Sequence, residues 1–352
     1  MSSKDARSEF ENMCSAFDQA AVAAPAATRE YSFRISGLMI RLRTVGKRLA
    51  EEMTPPWMPF VCEDMGQDAD LKIDIWDQFE SGVSGPQAGR DGDQQNYAAL
   101  SAHGENRYIA EERQDRMLWL DRAAGHIVGF TGSAERLNID ERGRPFQRML
   151  SIFLNDKGIQ PVHAGLIAWE GQGLLFTGMS GAGKSTSSIA CLTAGFGYLG
   201  DDFVGLEKNA DGTFTGHGIF ASCMVKPDHM ERFPDLAPHQ HPAHHDHEDK
   251  SVVYLSDLYP DQIEIDIPIR AIVLPRVVGE GENTFRPATK GEALRAIAPS
   301  SVIMFVAGPT ARSIDKLVDL IEAVPSYWLE LGRDVGGIPD TVRQIAAEVK
   351  AK

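Results

Sequence analysis

From Tyr31 the chain alternates apolar and polar positions with period two: Tyr31, Phe33 and Ile35 share one face, a Ser36-Gly37 break follows, and Leu38, Ile40 and Leu42 then alternate with Met39, Arg41 and Arg43. This pattern predicts two paired strands. A short helix is expected over 46–53, where the TPPWMP segment stops it, and Leu71, Ile73 and Ile75 alternate again before the polar, glycine-containing stretch 80–95, expected to be a long loop. Segments 107–111, 117–121 and 126–130 predict three more strands, and 145–154 carries apolar residues at helical spacing. Residues 1–28 begin as a weakly amphipathic helix and end in AVAAPAAT, whose small side chains and proline offer little to pack, so a mobile N-terminal extension is expected there. Residues 29–155 then form a small α+β domain in which no chemistry is visible.

The character changes at residue 161. PVHAGLIAWE and GLLFT predict a hairpin closed by Gly171-Gln172-Gly173, and a glycine-rich loop and a helix follow at once. Farther on, Ile263, Ile265 and Ile267 alternate, 270–277 predicts a strand, and helices are expected over 291–297, 310–323 and 338–350. There is no internal repeat. The fold class expected is α/β, with a catalytic domain over 156–352 and the smaller α+β domain before it.

Composition narrows the classes. With 352 residues, 43% hydrophobic and 24% charged, the chain fits a globular protein of about two domains. Thirty-five basic against 50 acidic residues give a net charge of -15 with no basic run, which argues against nonspecific binding to nucleic acid or to an anionic membrane. Cys14, Cys62, Cys191 and Cys223 are widely separated and form no CxxC pair, as expected of reduced thiols. The first residues carry charges where a secretory signal needs an apolar core, and no apolar stretch reaches about 18 residues, so a cytoplasmic location is expected.

Gly178-Met179-Ser180-Gly181-Ala182-Gly183-Lys184-Ser185 fits GxxxxGK[ST], and Thr186 follows it. An apolar strand over 174–177 precedes the loop and a helix over 185–194 follows, the order that phosphate binding requires. Glycines let the backbone curl so that several N–H groups point inward, and the helix N-terminus adds its positive dipole end. In that reading Gly178, Ser180, Gly181, Ala182, Gly183, Lys184, Ser185 and Thr186 hold the phosphates, Lys184 neutralises the β and γ groups, and Ser185 ligates magnesium. A glycine-rich turn that matches by accident is the bland alternative.

Seventeen residues after Lys184, a short apolar segment leads through Gly200 into Asp201-Asp202. A carboxylate at the end of a strand parallel to 174–177 can hold magnesium, and a second beside it can accept a proton from an attacking hydroxyl. Two aspartates at a strand end also serve as turns or caps. His163, expected on the strand before the loop strand, can be structural, or it can assist at the phosphates if the hairpin brings it there. Lys226, Lys250, Arg270 and Arg276 are further cations able to meet a transferred phosphoryl group, and each also suits an ordinary surface position. His239, His241, His244, His245 and His247 crowd into PHQHPAHHDHEDK, which with its prolines reads as a solvated loop more readily than as a metal site.

The run VHAGLIAWEGQGLLFTGMSGAGKST, followed by GFGYLGDDFVGL, resembles the catalytic domain of HPr kinase/phosphorylase and the wider group of HPr-kinase-like proteins. Three parts match in register over 161–207: the histidine, the P-loop and the double aspartate soon after the loop helix. The resemblance implies a P-loop kinase fold related to phosphoenolpyruvate carboxykinase, with ATP and magnesium as cofactors and a serine-type hydroxyl as acceptor. It further implies Asp201 as general base, Asp202 with Ser185 at the metal, and His163 and Lys184 at the phosphates. The glycine-containing segment that engages HPr and the asparagine-containing C-terminal signature are not found, and HGIFASCMVKPDHMERFPDL stands in their place. Related HPr-kinase-like proteins include kinases that phosphorylate a lasso-peptide serine. The acceptor expected is therefore a hydroxyl on a peptide, protein or small molecule, and self-association is a further expectation from the family. Two other readings stay open: a nucleotide-dependent switch or regulatory ATPase, and phosphate transfer in reverse.

Overall fold

The computed structural model describes residues 3–63, 66, 68–86, 99–113, 115–242, 249–279, 281–302 and 311–351. The chain is mixed α/β and divides into two compact units, one formed up to Met149 and the other from Leu150 on. Among the described residues no helix is long and apolar enough to cross a membrane.

The first unit contains α1 (Ser3–Ala23), β1 (Thr28–Ile35), β2 (Leu38–Val45), α2 (Lys47–Met53), β3 (Leu71–Asp77), α3 (Gln78–Ser81), β4 (Ala99–His103), β5 (Tyr108–Arg113), β6 (Arg116–Asp121), β7 (His126–Thr131) and α4 (Ile139–Gly143). Seven strands form one sheet in the order β1-β2-β3-β7-β6-β5-β4. β1 and β2 form the expected pair, with Ile35 opposite Leu38, and Ser36 and Gly37 both take the left-handed conformations that a tight two-residue turn needs. Of the long loop expected over 80–95, residues 87–95 lie outside the described residues.

The N-terminal segment departs from expectation. Residues 3–23 are not a mobile extension but helix α1, whose Ala6, Phe10, Met13, Phe17 and Ala20 are buried against Trp76, Tyr108, Trp119 and Val128 of the sheet. The alanines explain the departure. They add little to an apolar pattern, yet their small side chains let the helix approach closely enough for Phe10, Met13 and Phe17 to reach the core.

Helix α5 (Gln147–Asp156) leads into the second unit, which contains β8 (Gln160–Val162), β9 (Gly165–Trp169), β10 (Gln172–Phe176), α6 (Lys184–Thr193), β11 (Gly197–Gly200), β12 (Val204–Lys208), β13 (Phe214–Gly218), β14 (Ser222–Val225), α7 (Pro227–Arg232), β15 (Gln240–Pro242), β16 (Ser251–Tyr254), β17 (Asp266–Val277), β18 (Thr284–Ala288), α8 (Lys290–Val302), α9 (Ala311–Ala323), β19 (Ser326–Leu331) and α10 (Ile338–Lys350). Its main sheet runs β11-β9-β10-β17-β13-β12-β8, with β19 also on β17 and β18 beyond it, and β14, β16 and β15 form a small second sheet. Side chains alternate between two cores. Leu174 and Phe176 of β10 pack with α6 and α10, whereas Leu175 packs with α8 and α9, so helices cover both faces.

Two details of the hairpin differ from the sequence pattern. The turn is Glu170-Gly171, both residues left-handed, because Trp169 pairs directly with Gln172. The segment 161–169 is also not one strand. It breaks at His163-Ala164, so that β8 pairs with β12 while β9 lies between β10 and β11.

Candidate phosphate-binding site

The register of three strands brings the candidate groups together. Gly165, at the start of β9, stands opposite Phe176, at the end of β10, and Leu166 stands opposite Gly200, at the end of β11. The glycine-rich loop, the residues before β9 and the aspartates after β11 therefore leave the sheet at the same edge. β11 runs in the direction of β10, as its expected role requires, but β9 lies between them.

Loop residues Gly178, Gly181 and Gly183 have φ values of 155°, 80° and 105°. Two of them serve different needs. A Cβ on Gly183 would strike Leu331 Cδ1, so that side chain would have to move, whereas a Cβ on Gly181 would meet nothing within 4 Å. Gly181 thus faces open space. Helix α6 begins at Lys184 directly behind Gly183, and the amides of its first turn have no intrahelical acceptors.

Lys184 is buried, and its Nζ donates to the carbonyl oxygen of Gly178 at 3.0 Å and of Met179 at 3.5 Å. The ammonium is folded over the loop, where an anion held by the amides would meet it. Met179 and Ser180 are exposed, Ala182 and Ser185 half-buried, and Thr186 buried.

The two aspartates differ. Asp201 is 8% exposed, and its Oδ1 lies 3.5 Å from where a Cβ on Gly165 would sit, a point only 2.5 Å from Ser188 Oγ. Its carboxyl is thereby set near Ser188, in the second turn of α6. The Asp202 side chain is 30% exposed, has the left-handed φ of 67°, and accepts a 2.8 Å hydrogen bond from His163 Nε2. Aspartate is among the few non-glycine residues that take this conformation readily. The Cys223 thiol of β14 is pushed well up by burial and then by the charges of Asp201 and Asp202, as expected of an inert cysteine lying close to both carboxylates.

One residue near the loop was not singled out in the sequence. His229 of α7 brings its Nε2 to 3.2 Å from Thr186 Oγ1, and burial lowers its pKa. KPDHMER, with proline in the first turn, is legible as a short helix, but nothing in it names a partner 43 residues upstream.

The other candidates separate. Lys226 and Lys250 line a hollow of about 580 Å³ together with Pro227, Asp228 and Asp249. Arg276 donates to Glu330 at 2.7 Å and lies over Trp328, and Arg270 stands level with the first half of β10 rather than with the loop. Neither arginine joins the glycine-rich loop. Of the histidine tract, His239 ends a short 3₁₀ turn and His241 contacts the ring of Tyr254, while His244, His245 and His247 lie outside the described residues.

Among the described residues no cluster of three or more His, Cys, Asp or Glu side chains could hold a metal ion by itself. Ser185, Asp201 and Asp202 offer the hard oxygen donors that magnesium takes, and nucleotide oxygens would have to complete its shell.

No protein-family model and no curated protein matches the chain. Among solved structures, the HPr(Ser) kinase/phosphatase from Coxiella burnetii aligns with a TM-score of 0.30 and 14% identity, over 54% of this chain and 99% of that one. A likeness of that order fixes neither family nor activity.

Proposed function

We propose that the second unit is a phosphotransferase that binds ATP on 178–186 and passes its γ-phosphoryl group to a hydroxyl acceptor. The reading rests on one observation: Phe176 opposite Gly165 and Gly200 opposite Leu166 bring the phosphate loop to the same sheet edge as a histidine-bound carboxylate. A phosphate loop needs only the first of these. A proton acceptor beside it is what transfer to a hydroxyl adds.

In this reading the loop amides and the α6 N-terminus hold the triphosphate, and Lys184 moves from the carbonyls of Gly178 and Met179 to the β and γ phosphates. On their exposure we assign the aspartates in the order opposite to that implied by the family resemblance. Asp202, half-exposed and bonded to His163, takes the acceptor's proton as the acceptor oxygen bonds to the γ-phosphorus and the bond to the bridging oxygen of ADP breaks. Asp201, buried near Ser188 of α6, would help Ser185 hold magnesium, which supplies charge neutralisation at the phosphates.

Incubation with γ-labelled ATP, magnesium and an extract of the cells that make the protein tests the reading, with Lys184→Ala as control. Label on a peptide, protein or metabolite that depends on Lys184 supports transfer and identifies the acceptor. Label found only as free phosphate favours a nucleotide-driven switch instead.

A further inference from the structure

His229 connects α7 to the nucleotide loop through a single hydroxyl. Its Nε2 lies 3.2 Å from Thr186 Oγ1, and the backbone N–H of Lys226 points at its Nδ1 across 3.5 Å. Taken together, the two contacts fit one direction for the chain of hydrogen bonds. An Nδ1 that accepts from a backbone amide leaves the ring proton on Nε2, and a neutral imidazole of that tautomer donates to Thr186 Oγ1. The threonine oxygen is then occupied as an acceptor, and its own hydrogen is free to point elsewhere. Thr186 stands in the first turn of α6, two residues after Lys184, where the unsatisfied amides already favour an anion.

We propose that His229 is a positioning residue for the nucleotide: it fixes the Thr186 hydroxyl as a donor toward a phosphate oxygen bound at the start of α6. The inference rests on the nucleotide reading above and adds to it a residue from an element outside the loop. A threonine without this partner divides its time between donating and accepting, and donates equally well to the carbonyl one turn back in its own helix. With His229 in place the donor is aimed before the phosphate arrives, which raises affinity by removing an ordering cost.

Isothermal titration of magnesium-ADP into the wild type, His229→Ala, His229→Gln, Thr186→Val and the Thr186→Val/His229→Ala double variant tests this, with thermal melting of each variant alongside. Glutamine can present its amide N–H near the place of Nε2–H, so it should bind ADP within about twofold of the wild type, whereas alanine should weaken binding about tenfold. In the Thr186→Val background, His229→Ala should cost nothing further, since the hydroxyl it aims is gone. Equal weakening by alanine and glutamine, full additivity with Thr186→Val, or unchanged binding by His229→Ala would overturn the proposal while leaving the nucleotide site standing. A wild-type protein that binds no ADP would overturn both.

Discussion

His163 Nε2 and Asp202 Oδ1 lie 2.8 Å apart although 39 residues separate them in the chain. The register explains the meeting. Val162 pairs with Val204, so the chain leaves β8 at the point where it enters β12, and the next residue on one side faces the loop before the other. Asp202→Asn keeps the shape but cannot take a proton, and it should slow transfer by about 10²–10⁴-fold while ADP affinity changes less than about twofold. Asp201→Asn should instead raise the magnesium concentration needed for half-maximal turnover. Normal turnover in Asp202→Asn with a dead Asp201→Asn would return the base to Asp201.

Two loop glycines should respond differently to alanine. Gly183→Ala combines a left-handed φ with a collision against Leu331, and it should cost about 2–4 kcal/mol and abolish ADP binding. Gly181→Ala meets no atom and should cost about 1 kcal/mol, the strain of its φ alone. Chemical denaturation and ADP titration measure both effects. Equal losses would mean that the seat against β19 is not what limits the loop.

Helix α1 should prove integral to the first unit. Phe17 is 1% exposed and meets the ring of Trp76 edge-on at 6.4 Å, so Phe17→Ala should destabilise the protein by about 3–5 kcal/mol in urea unfolding. A change below about 0.5 kcal/mol would mean that the helix lies loosely on the sheet.

Acid should loosen the same unit through Asp74. Burial alone would raise its pKa, but hydrogen bonds from His126 and from the Arg43 guanidinium outweigh that and hold the carboxyl below its ordinary value. A depressed folded-state pKa contributes stability in full above the unfolded carboxylate's range and loses it as pH falls through the folded value. Asp74→Asn should therefore lower the melting temperature at neutral pH and flatten its decline between about pH 5 and pH 2. Parallel acid curves for the two proteins would refute the linkage.

The candidate site of the second unit was legible where it is contiguous. The loop from Gly178 to Thr186 is a local pattern, and its strand and helix follow from apolar spacing on either side. What sequence could not give was adjacency between segments. The break at His163-Ala164 leaves no signal of its own, because apolar residues on β8 and on β9 are equally buried although they pair with different partners. His229 escaped notice for a similar reason, since a 3.2 Å contact across 43 residues leaves no periodicity. Arg276 shows the converse. A cation at a strand end invites a functional role until Glu330 and Trp328 are found to occupy it.

Every candidate group from His163 to Asp202 is synthesised in one stretch, yet the surface that shapes the loop comes off the ribosome much later. Thr177 hangs its amide on Val273, and Gly183 lies against Leu331 of the last strand. A growing chain halted before Ser326 would already display the full motif and still lack the wall that bends it. The first half of the unit carries the reagents and the last strand completes their mould, so nucleotide binding should be among the final properties the nascent protein acquires.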